Sequence, residues 1–183
     1  VIRNGTSQTI DFWLAALPAQ VAGCMFEASR KPTAIDAIPK PDVAITHHGH
    51  NMSSFETPGS DLAIGRGLFW SVIGLISWQW KDVPQVITTQ NPWRDNAGYD
   101  KVYNAILGVA SVFPSLTIVD THKLYIDAGK APILYRTNDV SPVYHPSDTQ
   151  GNDEGARLAA GALMASFRKA KKAAFSTVSW MEL

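Results

Sequence analysis

Three short apolar segments, each closely preceded by a proline and ended by polar residues, constrain the fold of this chain more than any other feature. They lie at 42–47, 86–89 and 116–120, and each is four to six residues long. This is the usual length of a β-strand, and the segments between them carry helical patterns. Strands that alternate with helices form a mostly parallel sheet covered by helices. The sequence therefore predicts an α/β fold, with residues 1–3 as the end of a fourth strand.

Three segments between and after these strands have helical character. Apolar residues at 99, 102, 103, 106 and 110 repeat every three or four positions, which predicts one apolar helical face. Residues 61–80 are apolar nearly all round, so we expect a well-buried helix there. Residues 155–172 are rich in alanine and end in basic residues, as suits a helix C-terminus.

Composition limits the classes of partner. The 183 residues suit a single domain, and the 16 basic and 16 acidic residues leave no net field that would favour nucleic acid or an anionic membrane. The longest nearly apolar run, 68–78, is too short to cross a bilayer. No segment indicates a cofactor. The sequence does not indicate a cellular compartment. It is compatible with secretion and with association with a virus particle.

Two segments combine residues that could carry chemistry. The first, His47-His48-Gly49-His50-Asn51, ends a predicted strand, where glycine allows close approach of the backbone and the asparagine amide can donate to an oxyanion. The second segment is Tyr144-His145-Pro146-Ser147, which precedes the last helix. A histidine held in place by a following proline suits a general base. The plainer interpretations are a turn that closes a strand and a loop histidine without a role.

Together these segments resemble the SGNH (GDSL-like) hydrolase family. Gly49-His50-Asn51 is similar to the family's third block, and His145-Pro146-Ser147 is similar to its fifth. The segment 41–45 also resembles the Pro-Asp-hydrophobic strand of the family, and the resemblance runs from about residue 1 to residue 170. It implies a flavodoxin-like three-layer fold, a single domain over 1–183, and serine ester hydrolysis. By position, His145 becomes the general base and Asn51 an oxyanion donor.

The carboxylate that should orient this histidine departs from the family pattern. The family has an aspartate three residues before the histidine, where this chain has Pro142. Asp139, six residues before His145, can take the role if the loop bulges, and Asp148 is a lesser candidate. A backbone carbonyl also serves in some members of the family.

The nucleophile is the main departure, because the chain contains no Gly-Asp-Ser. In one interpretation, the segment from residue 4 to residue 9 is the family's second block, Gly5 supplies an oxyanion N–H, and the first block lies upstream of Val1. In the other, Ser7 is the nucleophile of a degenerate first block. We favour the first, because Arg3 and Asn4 suit poorly a central strand buried on both faces.

The favoured interpretation has a structural consequence. In a flavodoxin-like order the first strand lies between two others, so its removal leaves backbone groups unpaired in mid-sheet. We therefore expect an upstream segment or a second chain to complete the sheet.

Further candidates concern substrate and metal. His50 and Trp93 are candidate substrate-binding residues, and Trp93 is the tryptophan we expect to be most exposed because it follows Pro92 in a loop. His47, His48 and His50 could bind a metal, but no neighbouring carboxylate or cysteine completes a tetrahedral set, so we predict no metal site.

The sequence thus predicts an esterase, acetylesterase or deacetylase acting on a small ester or an acylated carbohydrate. The alternative is an inactive SGNH-like binding or structural module in a larger assembly such as a phage particle. A metal-dependent hydrolase is a third hypothesis.

Overall fold

Strands and helices alternate along the chain in a computed structural model. The structure describes residues 2–3, 6–7, 28–29, 31–47, 62–95, 100–113, 116–139, 143–147 and 153–178. In chain order the elements are β1 (Ile2–Arg3), β2 (Thr6–Ser7), α1 (Lys31–Ala34), β3 (Ala44–Thr46), α2 (Leu62–Gln79), β4 (Gln85–Thr88), α3 (Asp100–Ala110), β5 (Thr117–Val119), α4 (Thr121–Asp127) and α5 (Glu154–Val178). A 3-10 helix at Pro132–Leu134 lies between α4 and α5.

The strands β3, β4 and β5 form a parallel sheet in that order. The register sets Thr46 beside Ile87, and Ile87 beside Ile118. β3 and β5 fall within the segments predicted from the sequence, and β4 begins one residue before its predicted segment, so the α/β class and the parallel sheet are confirmed. Because the strands run in one direction, their carboxyl ends share one edge, where open α/β sheets hold their functional sites.

Helices α2 and α3 cover one face of this sheet. Their buried side chains, with those of Ala44 and Ile87, form the main apolar core, which includes Phe69, Val72, Ile73, Ile76, Val102, Ala105, Ile106 and Val109. The buried face predicted for α3 is confirmed at Val102, Ile106 and Ala110, whereas Tyr103 is only half-buried and Tyr99 lies outside the described residues. On the opposite face Val86 and Val119 are buried, and α5 contacts β5.

The expectation that the helix at 61–80 is buried nearly all round is wrong. Phe69 and Val72 are buried, but the side chains of Trp70 and Trp78 are 49% and 74% exposed. The helix lies on the surface of the domain, so only the stripe that faces the core is covered. Trp70 instead packs edge-on against Phe113, with ring centroids 5.3 Å apart.

The chain start also differs from the prediction. β1 pairs antiparallel with β2, with Ile2 opposite Ser7 and Arg3 opposite Thr6. Within the described residues this hairpin is separate from the three-stranded sheet, so Ile2 and Arg3 do not form the end of a fourth strand in that sheet. The sequence signal we missed is the Asn-Gly pair at 4–5, the two-residue spacing that most favours a hairpin.

A second apolar cluster supports the loop that follows α4. It consists of Tyr125, Leu134, Tyr135 and Val143, all buried. The two tyrosine rings meet edge to face, with centroids 5.3 Å apart, and burial raises the pKa of Tyr125 to about 12. The Tyr135 hydroxyl donates to the carbonyl of Pro92 at 3.1 Å, which ties this loop to the segment after β4.

None of the helices in the described ranges combines the length and the apolar character needed to cross a bilayer.

Candidate functional site

A histidine and an aspartate meet in the loop before α5. Nδ1 of His145 lies 2.7 Å from Oδ1 of Asp139. The other carboxylate oxygen, Oδ2, accepts the backbone N–H groups of Tyr144 and His145, each at 3.0 Å. One carboxylate therefore makes three hydrogen bonds to two consecutive residues. The structure thus brings together the two residues that the sequence paired only on the condition of a bulged loop.

This contact determines which imidazole nitrogen can act as a base. An ionised carboxylate only accepts hydrogen bonds, so Nδ1 of His145 must carry a proton to donate. In the neutral ring the basic lone pair then lies on Nε2. The His145 side chain is 37% exposed, whereas that of Asp139 is 11% exposed. The imidazole is thus partly accessible to solvent, while the carboxylate behind it is shielded.

The surroundings of Asp139 hold its carboxylate in the charged form. Burial alone would raise the pKa of Asp139. The hydrogen bonds from the backbone and side chain of His145 and from the backbone of Tyr144 outweigh burial, and they lower that pKa below its ordinary value. The Asp139 carboxylate is therefore ionised at neutral pH.

The segment after β4 supports the histidine loop. The side-chain amide of Asn91 donates to the carbonyl of Tyr144 at 2.5 Å, and the backbone N–H of Arg94 donates to the carbonyl of Val143 at 2.9 Å. On the other side, the N–H of Arg136 donates to the carbonyl of His145 at 3.1 Å. The Asp139–His145 pair, which we call the dyad, therefore lies beside the carboxyl end of β4, where open parallel sheets hold their sites.

Ser147 joins this loop to α5. Its side chain is fully buried; Oγ donates to the carbonyl of Ile133 at 2.8 Å and accepts the N–H of Gly155 at 2.8 Å. The second bond satisfies one of the N–H groups that a helix start leaves without an intrahelical partner. In this position Ser147 is a structural residue that anchors the loop two residues after the histidine.

A second polar cluster lies where β4 and β5 end. Asp120 accepts hydrogen bonds from the Thr89 and Tyr103 hydroxyls through Oδ1 and Oδ2, at 3.1 and 3.0 Å. The ring of His122 stacks on that of Tyr103, with centroids 4.3 Å apart. Nδ1 of His122 lies 3.2 Å from the carbonyl oxygen of Gln90, so Nδ1 is the donor.

From the sequence alone, Asp120 and His122 resemble a pair that caps a strand end, so this second cluster was not predicted. The available signal was the placement of Thr89 after one strand and of Asp120 and His122 after the next, since the ends of neighbouring parallel strands meet. Nε2 of His122 also lies 3.4 Å from Oδ1 of Asp100, at the start of α3.

The remaining predicted site residues fall in different places. Ser7 lies in β2, paired with Ile2. Gly5, His50 and Asn51, and the alternative Asp148, lie outside the described residues. Trp93 is half-buried and packs against the main core, so the expectation that it is the most exposed tryptophan is wrong; Trp78 is far more exposed. Packing against the core outweighs the loop position of Trp93.

Of the three histidines considered as metal ligands, the structure describes only His47. The Nδ1 atom of His47 contacts the hydroxyl of Thr88 at the end of β4, and His48, like His50, lies outside the described residues. Within the part of the chain that the structure describes, no three His, Cys, Asp or Glu side chains are arranged to hold a metal ion.

Comparison with known proteins finds no protein family, no curated protein and no solved structure that matches this chain significantly.

Proposed function

We propose that this chain is an ester hydrolase domain of the SGNH type, with His145 as its general base and Asp139 as the residue that orients it. The observation that carries the proposal is the 2.7 Å contact between Nδ1 of His145 and Oδ1 of Asp139. Together with the two backbone N–H bonds to the same carboxylate, it supports an imidazole held in one tautomer. The order of the sequence motifs supports the finer assignment to a flavodoxin-like three-layer fold.

The reaction proceeds in two steps. A serine Oγ attacks the acyl carbon while Nε2 of His145 takes its proton, and the resulting oxyanion is held by the N–H of Gly5 and the side-chain amide of Asn51. When the intermediate collapses, the C–O bond to the alcohol breaks and His145 returns the proton to the departing alcohol. Water then attacks the acyl-enzyme with His145 again as base, and the carboxylic acid and the serine are released.

Asp139 contributes through charge as well as orientation. In each step His145 becomes an imidazolium, and the adjacent carboxylate stabilises the added positive charge. The lowered pKa of Asp139 suits this role, because the group stays anionic when the imidazolium forms. His50 and Trp93 complete the proposal as the substrate-binding residues.

We favour a serine upstream of Val1 as the nucleophile, and Ser7 is the alternative within this chain. A fluorophosphonate probe tests both, because an activated serine displaces fluoride and forms a stable P–O bond with the probe. We expect peptide mass spectrometry of the labelled protein to find the adduct on one serine. An adduct on Ser7 makes Ser7 the nucleophile, and an adduct on a serine before Val1 in the full-length protein supports the missing first block.

The negative outcome is equally informative. If neither this chain nor the full-length protein is labelled by the probe, and neither hydrolyses p-nitrophenyl acetate, the proposal fails. The inactive binding or structural module then takes its place. Hydrolysis without labelling that is abolished by a chelator would instead indicate the metal-dependent hydrolase. The matched control is the His145→Ala variant, in which the serine loses its base and labelling should become much slower.

A further inference from the structure

Asn91 carries a buried amide at the carboxyl end of β4, the central strand of the parallel sheet. The residue is 3% exposed, and Thr89 and Gln90 before it are fully buried. A buried amide is costly unless it is hydrogen-bonded, so its partner indicates what it does. Nδ2 of Asn91 donates to the carbonyl of Tyr144 at 2.5 Å. The amide therefore contacts the loop of the dyad at the residue just before His145.

The carbonyl that Asn91 binds belongs to the peptide unit that joins Tyr144 to His145. The N–H at the other end of this unit, that of His145, donates to Oδ2 of Asp139 at 3.0 Å. A trans peptide unit is planar, and its C=O and N–H groups point in opposite directions. Asn91 and Asp139 therefore hold this unit from opposite sides, so that it cannot rotate without straining the hydrogen bond at each end.

The orientation of this peptide unit matters to the dyad because the unit is bonded directly to Cα of His145. Asp139 accepts the backbone N–H of His145 through Oδ2 and contacts Nδ1 of the same residue through Oδ1. If the peptide unit tilts, the carboxylate cannot keep both contacts at their present distances. The amide of Asn91 thus acts on the alignment of the imidazole without touching it.

The Asn91 bond also affects the charge of the dyad. A hydrogen bond to a carbonyl strengthens the N–H donor of the same peptide unit, because successive hydrogen bonds polarise one another. Burial raises the pKa of Asp139, and the backbone N–H of His145 is the strongest of the groups that lower that pKa. Loss of the Asn91 bond should therefore weaken this N–H donor and raise the pKa of Asp139.

Other hydrogen bonds keep the loop in place independently of Asn91. The backbone N–H of Arg94 and the hydroxyl of Tyr135 also join the segment after β4 to this region, at 2.9 and 3.1 Å. Neither group bonds the peptide unit before His145. We therefore expect a change at Asn91 to leave the loop docked and to alter the alignment of His145.

We infer that Asn91 is a positioning residue, which fixes the peptide unit between Tyr144 and His145 and thereby the alignment of the imidazole with Asp139. Its contribution to ester hydrolysis rests on the proposed function, whereas its effect on the dyad does not.

The test compares Asn91→Ala with Tyr135→Phe. Each variant removes one side-chain donor from a backbone carbonyl where the segment after β4 is held, so a merely structural role predicts similar effects. Carbon-13 NMR of the aspartate side chains follows the titration of Asp139 without any substrate. We expect Asn91→Ala to shift this titration to higher pH and Tyr135→Phe to leave it unchanged.

The kinetic measurement is the hydrolysis of p-nitrophenyl acetate by the same two variants. In Asn91→Ala we expect kcat to fall about tenfold with KM unchanged, because a misaligned base affects the chemical step and leaves binding intact. Tyr135→Phe should keep the wild-type kcat. Thermal unfolding of each variant separates misalignment from loss of folding.

Asn91→Leu is the second variant, because leucine fills the space of the asparagine with apolar atoms that cannot donate. It should shift the titration of Asp139 in the same direction as Asn91→Ala. The inference is overturned if the folded Asn91 variants titrate like wild type, if Tyr135→Phe shifts the titration equally, or if neither Asn91 variant folds. The proposed function fails separately: an upward shift in a protein without ester hydrolysis would keep the positioning contact and remove its catalytic role.

Discussion

Replacing His145 with alanine should lower kcat/KM for the hydrolysis of p-nitrophenyl acetate by about a thousandfold, within the range that general base catalysis contributes. The physical reason is that a serine hydroxyl is a weak nucleophile until a base takes its proton. The effect of this substitution on folding should be small, because the His145 side chain is 37% exposed and the backbone N–H groups of residues 144 and 145 can still bond Asp139. Thermal unfolding of the variant checks that point.

Two carboxylate variants, one in the dyad and one elsewhere, test the contribution of Asp139 to the same reaction. Asp139→Asn keeps the size of the side chain, but an amide has only one acceptor oxygen. It therefore cannot accept from Nδ1 of His145 through one oxygen and from two backbone N–H groups through the other. We expect kcat to fall about a hundredfold. Asp42→Asn removes an exposed carboxylate elsewhere and should leave kcat unchanged. Full activity in the His145→Ala protein would refute the assignment of the base.

Gly155→Ala should lower the free energy of unfolding by about 3 kcal/mol, at the upper end of the usual cost of overpacking. An added Cβ at this position would lie 2.1 Å from the carbonyl oxygen of Leu134 and 2.9 Å from the backbone nitrogen of Ser147. Both are backbone atoms, so neither can rotate away as the hydroxyl of Tyr125 could. The helix start and the loop that carries His145 would have to separate.

Gly161→Ala is the control for this prediction, because it makes the same change in the same helix. A Cβ at Gly161 meets nothing within 4 Å. Alanine has the higher helix propensity, so this variant should be more stable than wild type by up to about 1 kcal/mol. Urea unfolding of both variants measures the difference. Equal stabilities for the two would show that α5 does not pack against the loop at Ser147 as described.

The sequence predicted the regular elements well where a local pattern determines them. The strands at 44–46, 85–88 and 117–119 follow prolines and consist of short apolar runs, and the α3 helix shows its buried face in its periodicity. Burial depends instead on what lies opposite each face, which no local pattern records. The exposure of Trp78 and the packing of Trp93 against the core were therefore predicted wrongly.

The same distinction applies to the candidate site: its residue types follow from local patterns, but their contacts depend on distant parts of the chain. The residue types of the dyad could be identified, because His145 precedes Pro146 at the entrance to a helix and Asp139 is a nearby carboxylate. Their contact depends on bonds from distant residues, including those from Asn91 and Arg94, which bring the loop to the end of β4. The cluster around His122 needs three separate segments, and so it was found only in the structure.

The most direct test of the proposed dyad is to determine which of the two ring nitrogens of His145 carries the proton in the neutral imidazole. Nitrogen-15 NMR of the histidine-labelled protein measures it without any substrate. We expect a proton on Nδ1 and an unprotonated Nε2, with this preference lost in Asp139→Ala. A proton on Nε2 in the neutral ring, or a tautomer that is the same in both proteins, would contradict it.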